Sequence, residues 1–398
     1  MTDPIHRRDF LKSASAAAGL AMTRTARAQT TSTQDTVEWR NRQSGMAYRR
    51  LGRTGFMVSE VVMGGNTIAP DNWKHVELAI EMGLNYLDTS PAYGGGRSER
   101  GYANVIKGSA KRERVFLNSK VSVFDSNRNE FYRKLYDSLP DGERKKIDRE
   151  MTELIERRGI LRTRYFGPYF GGQLREVDRS YLSNVMEKYY GNKIDRRAEY
   201  YDRIIASVEE SLKRLGTDYL DLFMCPHGAN SPEETRIPEV FEAMDKLKKD
   251  GKIRFVGLSA HADSAGVLSA AVKSGMYDAA MIAYNVVNGD FCDIAVREAW
   301  EHDVGVIGMK VARAVYPNRP KPIYLPKSRI DKLNHVIPGD MKIPKKAYLW
   351  ALQNPNISCV NSDMSDADLV RDNLPLAGMK VDLVPLEDED RFEYMKRG

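Results

Sequence analysis

The sequence predicts an α/β protein: a (β/α)8 TIM barrel with an N-terminal hairpin and a helical insertion after strand 3. Three observations carry this. From residue 46 onward, short apolar runs alternate with amphipathic stretches, and strict alternation gives a parallel sheet. Eight such runs occur, which favours a closed barrel over an open sheet. The first run is not followed by the Gly-rich phosphate loop of a Rossmann domain.

Each element has its own local reason. "YRRLGRTGFMVS" reads as a small hairpin turning near Thr54-Gly55. "EVVMGG", "NYLDTS" and "RVFLNSKVS" are the first three barrel strands, separated by the helices "WKHVELAIEMG" and "SERGYANVIKG", the first of which stops at Gly83. After an interruption, "YDRIIASVEESLKRLG" places Ile204, Val208, Leu212 and Leu215 on one helical stripe that Gly216 ends. Strands "YLDLFMCP", "IRFVGLS", "AAMIAYN", "GVIGMK" and "ISCVNS" follow, with helices "IPEVFEAMDKLKKDG", "DSAGVLSAAVKSG", "CDIAVREAWEH", "PKKAYLWALQNP" and "SDADLVRDNL" around them. Residues 315–343 read as a Pro-rich loop. The expected organisation is a signal peptide over 1–28, a linker over 29–45, the barrel over 46–380 with residues 124–199 inserted, and a tail over 381–398.

The interruption, residues 124–199, leaves from the end of strand 3. A structureless loop of that length is unusual in a compact domain. "ERKKIDREMTELIERR" has Ile147, Met151, Leu154 and Ile155 on one side, so a small helical subdomain is expected. It carries many tyrosines and phenylalanines. It is equally well read as a lid or substrate wall on the active-site face and as a surface or oligomer-contact insert. Its aromatics suit a sugar-like or amphipathic ligand, and Arg162 and Arg164 would suit an acidic one.

The N-terminus reads as an address. Arg7 and Arg8 precede a short Ala-rich apolar stretch, and Ala26 and Ala28 are spaced like a signal-peptidase site. This is the order of a twin-arginine export signal, so a periplasmic or exported protein is expected. Residues 1–28 carry five of the 61 Lys and Arg and two of the 55 Asp and Glu, so the net charge falls from +6 to +3 without them. No long run of one sign remains, which excludes a nucleic-acid partner, and no other stretch would cross a membrane. The three cysteines, Cys225, Cys292 and Cys359, are scattered singly. That spacing argues against a disulfide framework, a structural zinc or an iron–sulfur cluster, and no metal site is expected.

In barrels of this kind the chemistry sits at strand C-terminal ends. Asp88, Lys120, His227, Ser259, Asn285 and Lys310 all occupy such ends. Any one of them alone would be a solvated loop residue; six at six ends are not. The segments "YRRLGRTGFMVSEVVMGG", "AIEMGLNYLDTSPAYGGGRSE", "FLNSK", "SLKRLGTDYLDLFMCPHG", "KIRFVGLSAH" and "VNSDMSDADLVRDNL" then appear in the order seen in the aldo-keto reductase superfamily, which this chain resembles from residue 46 to about 375.

The resemblance implies a catalytic set of Asp88, Tyr93, Lys120 and His227. Tyr93 would be the general acid/base and Lys120 would lower its pKa. Asp88 would hold Lys120, and His227 would orient the carbonyl or relay the proton. Chemically, a nearby ammonium favours phenolate over phenol. The resemblance places cofactor contacts at Ser259, Met281, Met309, Lys310, Asp363, Met364, Asp372 and Asn373. It departs from the usual pattern at Ala260, Met281 and Met309. Asp363 and Leu369 stand where basic residues commonly meet the 2′-phosphate, so the cofactor is expected to be NADP or NAD, held tightly. The implied activity interconverts a small carbonyl compound and an alcohol. Two alternatives differ in class: a non-catalytic barrel that only binds, and a lyase or isomerase using a retained nicotinamide transiently. Substrate, direction and oligomeric state are not written in the sequence.

Overall fold

A computed structural model describes residues 37–121, 124–167, 169–316 and 325–386. The signal-like segment and the last residues of the tail lie outside them. Strands β1 (Glu38–Trp39), β2 (Tyr48–Arg50) and β3 (Phe56–Ser59) form a small sheet in the order β1-β3-β2. β2 and β3 are the expected hairpin, with Tyr48 opposite Ser59. Its turn ends at Gly55, whose φ of 72° suits a residue without Cβ.

Eight strands close the barrel. They are β4 (Val61–Gly64), β5 (Tyr86–Asp88), β6 (Phe116–Lys120), β7 (Leu220–Met224), β8 (Ile253–Ala260), β9 (Ala279–Ala283), β10 (Gly305–Met309) and β11 (Cys359–Ser362). They run parallel in chain order, and β11 pairs with β4 to complete the ring. All eight coincide with the apolar runs of the sequence. Helices cover one side of each strand and the barrel interior the other, so these strands read as continuous Val/Ile/Leu runs.

The interior is a separate apolar cluster that includes Val62, Tyr86, Phe116, Leu222, Met224, Met281 and Ile307. The hairpin plugs its N-terminal end with Leu51, Phe56 and Val58, and Phe56 stacks on Phe116 at 4.2 Å between ring centroids. Nearby, fully buried Asp221 of β7 binds three guanidinium groups, Arg40 at 3.0 Å and Arg112 and Arg254 at 2.8 Å each. Removing one partner from so buried a cluster leaves uncompensated charge. This fastens the segment before the hairpin to the barrel floor and leaves the opposite end open.

The insertion is helical, as its pattern predicts, with helices Asn129–Asp137, Asp141–Arg158 and Gln173–Tyr190. Several of its aromatics are core residues: Phe124, Tyr132, Tyr165, Tyr169 and Tyr181 are all buried. It docks on the loops at the strand C-terminal ends. Buried Arg128 meets Glu187 at 2.9 Å and Glu234 at 3.6 Å. The Tyr165 hydroxyl donates to Asp263 at 2.5 Å, the residue that also caps the helix Ser264–Ser274. The expected Pro-rich loop 315–343 contains a helix, Lys327–Val336, which buries Leu333 and Val336; residues 317–324 lie outside the described ones.

Among the described residues no helix is long and apolar enough to cross a membrane, and no cluster of His, Cys, Asp or Glu could hold a metal ion. All three cysteines are buried thiols, which is how small apolar side chains pack.

Candidate active site

β5 ends on Asp88, β6 ends on Lys120, and the turn after β5 carries Tyr93. Each short strand delivers its last side chain to the open end of the barrel, where the three meet. Lys120 Nζ donates to Asp88 Oδ1, to the Thr89 carbonyl at 2.9 Å and to the Tyr93 hydroxyl at 3.2 Å. The same ammonium lies 4.8 Å from the Tyr93 ring centroid. Tyr93 packs edge-on against His227, with centroids 6.0 Å apart. All four residues of the expected set border one cavity of about 820 Å³, a size within the range of ligand sites.

Asp88 is held by more than Lys120. Asn118 of β6 donates to its Oδ1 at 2.6 Å, and Asn361 of β11 donates to its Oδ2 at 3.1 Å. The Asn361 amide fits because position 64 is glycine: a Cβ there would stand 2.7 Å from Asn361 Oδ1. Each carboxamide therefore turns its N–H groups to the carboxylate and leaves its own oxygen without a protein partner. Sequence reasoning missed both asparagines, although a lone amide inside an apolar strand was visible in "FLNSK" and "CVNS".

At the Tyr93 hydroxyl, burial outweighs the neighbouring ammonium. Burial pushes the Tyr93 phenol well above its ordinary range, and the carboxylates of Asp88 and Asp363 push it further. Burial also draws Lys120 below the usual ammonium range, against the opposing pull of Asp88. Lys120 is itself paired with Asp88, and desolvation is the largest influence on the hydroxyl. Tyr93 is held as a neutral O–H donor.

His227 is held neutral too. Burial lowers its pKa to about 3, with Lys120 and Lys310 adding repulsion. Its Nδ1 lies 3.3 Å from Ser90 Oγ, and that oxygen already accepts from the Ala92 N–H. With the Ser90 hydroxyl as donor to Nδ1, the imidazole proton sits on Nε2. His261, also on the cavity wall, is shifted well below the usual imidazole range by burial and by Lys310.

These shifts have a sign. The unfolded chain takes up protons at both histidines near pH 6.5, whereas folded His227 does so only near 3. Between those values the unfolded state binds more protons, so stability falls as pH falls through this window. The urea midpoint is expected to drop from about pH 7 to about pH 5, and His227→Gln combined with His261→Asn should flatten that slope. An unchanged slope in the double variant would show that other groups cause the loss.

The expected cofactor residues separate. Ser259, Met281, Met309, Lys310, Asp363, Asp372 and Asn373 border the cavity. Ser259 Oγ accepts from the Gly228 N–H at 3.0 Å. Met364 does not reach the cavity: its side chain is fully buried in the apolar core. Asp363 contacts Asn66, feels Lys310 and bears on Tyr93, so it lies near the catalytic set. Lys310 has a φ of 58°, a left-handed backbone uncommon for a side chain of its size.

Among the described residues, none of the insertion borders the cavity. Instead the insertion braces the wall from behind. Phe170 packs edge-on against His261 with centroids 5.4 Å apart, and the Tyr169 carbonyl accepts from Arg313 Nε at 2.6 Å. Asn285 reaches this layer rather than the cavity, donating to the Tyr169 hydroxyl at 2.9 Å. Arg164 is paired with Asp290 at 3.0 Å, and Arg162 lies over Tyr165 and Phe291, so neither meets an acidic ligand in the cavity.

Lys310, Arg313, Lys342, Lys345, Leu369, Asp372 and Asn373 line the same cavity as the catalytic set. One chamber thus holds a proton donor and several cations, a donor set that fits a nicotinamide dinucleotide with its negative phosphates.

Comparison with known proteins agrees. The profile of the Aldo/keto reductase family matches residues 62–158 and 183–312. An oxidoreductase of Bacillus subtilis, YqkF, is 23% identical over 358 residues, covering 84% of this chain and 92% of the relative. L-galactose dehydrogenase of Arabidopsis thaliana is 28% identical over 229 residues, covering 52% of this chain and 70% of the relative. The holo structure of aldo-keto reductase AKR11C1 from Bacillus halodurans superposes with a TM-score of 0.55 at 22% identity, covering 88% of this chain and 95% of that one. The parallel barrel, the grouped strand-end residues and the profile covering more than half of the sequence lead to one assignment: the chain belongs to the aldo-keto reductase family, whose members are NAD(P)-dependent oxidoreductases.

Proposed function

We propose that the protein reduces a small, hydroxyl-bearing carbonyl compound to an alcohol, with Tyr93 as the proton donor. The observation that carries this is the Tyr93 hydroxyl, 3.2 Å from Lys120 Nζ and bordering the cavity that Asp372 also lines. The bound dinucleotide supplies the hydride. Ser259 would hold the nicotinamide end, Lys310 and Arg313 the phosphates, and Asp372 with Asn373 the far end.

The chain's own residues do the rest. Tyr93 donates its proton to the carbonyl oxygen as negative charge develops there. Lys120, hydrogen-bonded to that hydroxyl, stabilises the phenolate left behind, and Asp88 keeps the ammonium charged and aimed. Neutral His227 offers a hydrogen bond from Nε2 that orients the carbonyl. A phenol held neutral suits reduction, because the acid form is the one that must be populated. The cavity wall carries polar side chains, among them His261, Asn66, Thr67 and Asp363. Buried polar groups of this kind favour a ligand that can pair with them. The buried aromatics of the insertion give no stacking platform, so polarity rather than stacking supports a sugar-like substrate. The N-terminal pattern supports action in the periplasm after twin-arginine export, with the cofactor retained through transport.

The test is nicotinamide oxidation by the purified mature protein against a panel of sugar aldehydes, keto-sugars and apolar aldehydes. Turnover with the hydroxylated members above the apolar ones is expected. Absence of turnover across the panel, together with absence of dinucleotide binding, would remove the reading.

A further inference from the structure

We propose that His261 is a substrate-binding residue that hydrogen-bonds a hydroxyl on the carbon next to the carbonyl, and that the insertion holds it in place through Phe170. The substrate class is then the α-hydroxy aldehydes and ketones. The inference deepens the reductase reading and rests on it.

The end of β8 alternates. Ser259 and His261 border the cavity, while Ala260 between them packs in the outer apolar core, because side chains two apart along a strand share a face. The His261 ring lies close to the chemistry. A Cβ at Gly228, the residue after His227, would stand 3.8 Å from its Cδ2, and the charges of Lys310 and Lys120 both bear on it. Burial holds the imidazole uncharged, so one ring nitrogen donates and the other accepts. Its Nδ1 has no hydrogen-bond partner among the described residues. A buried polar atom needs one, and proton transfer from Tyr93 gives it none. A hydroxyl both donates and accepts, so it suits either tautomer of the ring. An apolar carbon in its place would leave the ring unpaired.

The insertion fastens this stretch of chain. Phe170 packs edge-on against His261, with centroids 5.4 Å apart. Two residues further on, Asp263 accepts from the Tyr165 hydroxyl at 2.5 Å, and the Ala265 N–H donates to that hydroxyl oxygen at 2.9 Å. Tyr169, beside Phe170, is itself locked: its N–H donates to Gln173 Oε1 at 2.8 Å and its hydroxyl accepts from Asn285 at 2.9 Å. A hydrogen bond depends on the angle at which donor meets acceptor, so a ring fixed from behind offers its nitrogens in one direction. Phe170 is therefore a positioning residue: it touches the imidazole and does not border the cavity. With the carbonyl oxygen set by Tyr93 and His227, the nearest substrate hydroxyl is the one on the adjacent carbon, and His261 adjoins His227 across Gly228.

The experiment compares 2-hydroxypropanal with propanal, which differ by one hydroxyl, in wild type, His261→Phe, His261→Gln and Phe170→Leu, each with NADPH and with NADH. The α-oxygen activates the carbonyl by itself, so the readout is how the ratio of kcat/KM for the two aldehydes changes from wild type to variant. His261→Phe should lower that ratio about 10- to 100-fold, the loss when a ligand hydroxyl is deprived of a buried polar partner. His261→Gln keeps an N–H and a C=O and should recover most of it. Phe170→Leu should lower the ratio about three- to tenfold, chiefly through KM, because the ring is loosened but not removed. Dinucleotide affinity reports that each variant is folded. A His261→Phe ratio within about twofold of wild type, or a wild type active on apolar aldehydes and inactive on 2-hydroxypropanal, would overturn the proposal while leaving a reductase. If His261→Phe does not fold, an unchanged ratio in Phe170→Leu has the same force; if it folds and its ratio falls, an unchanged ratio in Phe170→Leu would remove the insertion's part. Wild type that binds neither dinucleotide would overturn the reductase reading and this proposal together.

Discussion

Tyr93→Phe should lower kcat by about 10²- to 10⁴-fold while leaving dinucleotide affinity nearly unchanged, the range by which a positioned proton donor accelerates a reaction. The substitution removes one oxygen. The ring that packs against His227 and lies under Lys120 stays, and Lys120 keeps Asp88 and the Thr89 carbonyl. Because burial holds the wild-type phenol neutral, no charge is deleted and the fold should lose about 1 kcal/mol or less. Single-turnover kinetics and cofactor titration check both halves. A Phe variant that keeps more than about a tenth of the wild-type rate would assign the proton to another group.

The second large effect is on stability as well as rate. Lys120→Met should destabilise the protein by about 3–5 kcal/mol, because Asp88 would keep its buried charge with only two carboxamides to answer it. Lys120 and Asp88 are both about 1% exposed, so water offers no relief. Urea unfolding of Lys120→Met, Asp88→Asn and the double variant separates the causes. The double variant should recover most of the lost stability, since no ion is left unpaired, yet remain far below wild type in turnover. Equal stability of the single and double variants would mean that the asparagines alone suffice to hold the carboxylate.

Most of the architecture was legible because parallel barrel strands are apolar on both faces and end abruptly. "NYLD" and "FLNSK" break from apolar to charged at the point where the barrel opens, so Asp88 and Lys120 could be placed at strand ends from the pattern alone. The helix Lys327–Val336 was hidden among prolines, because its apolar positions are few and its flanks read as turn. Met364 was misplaced because a motif match fixes a position along the chain, not the face a side chain turns to. The proton affinity of Tyr93 was only half legible for a related reason. Sequence names the charged neighbours but says nothing of how little water reaches them, and here desolvation outweighs the ammonium.

The amide that grips the outer oxygen of Asp88 comes from Asn361, 273 positions further along the chain. A nascent polypeptide short of β11 would already have made Asp88, Tyr93 and Lys120, yet its carboxylate would stand in an open cleft. Proton-transfer competence is then a late acquisition, gained when the two ends of the sheet zip together. Loss of that final strand by truncation or a stalled synthesis would silence turnover even in a molecule whose earlier strands had assembled, so the rate itself reports that biogenesis has finished.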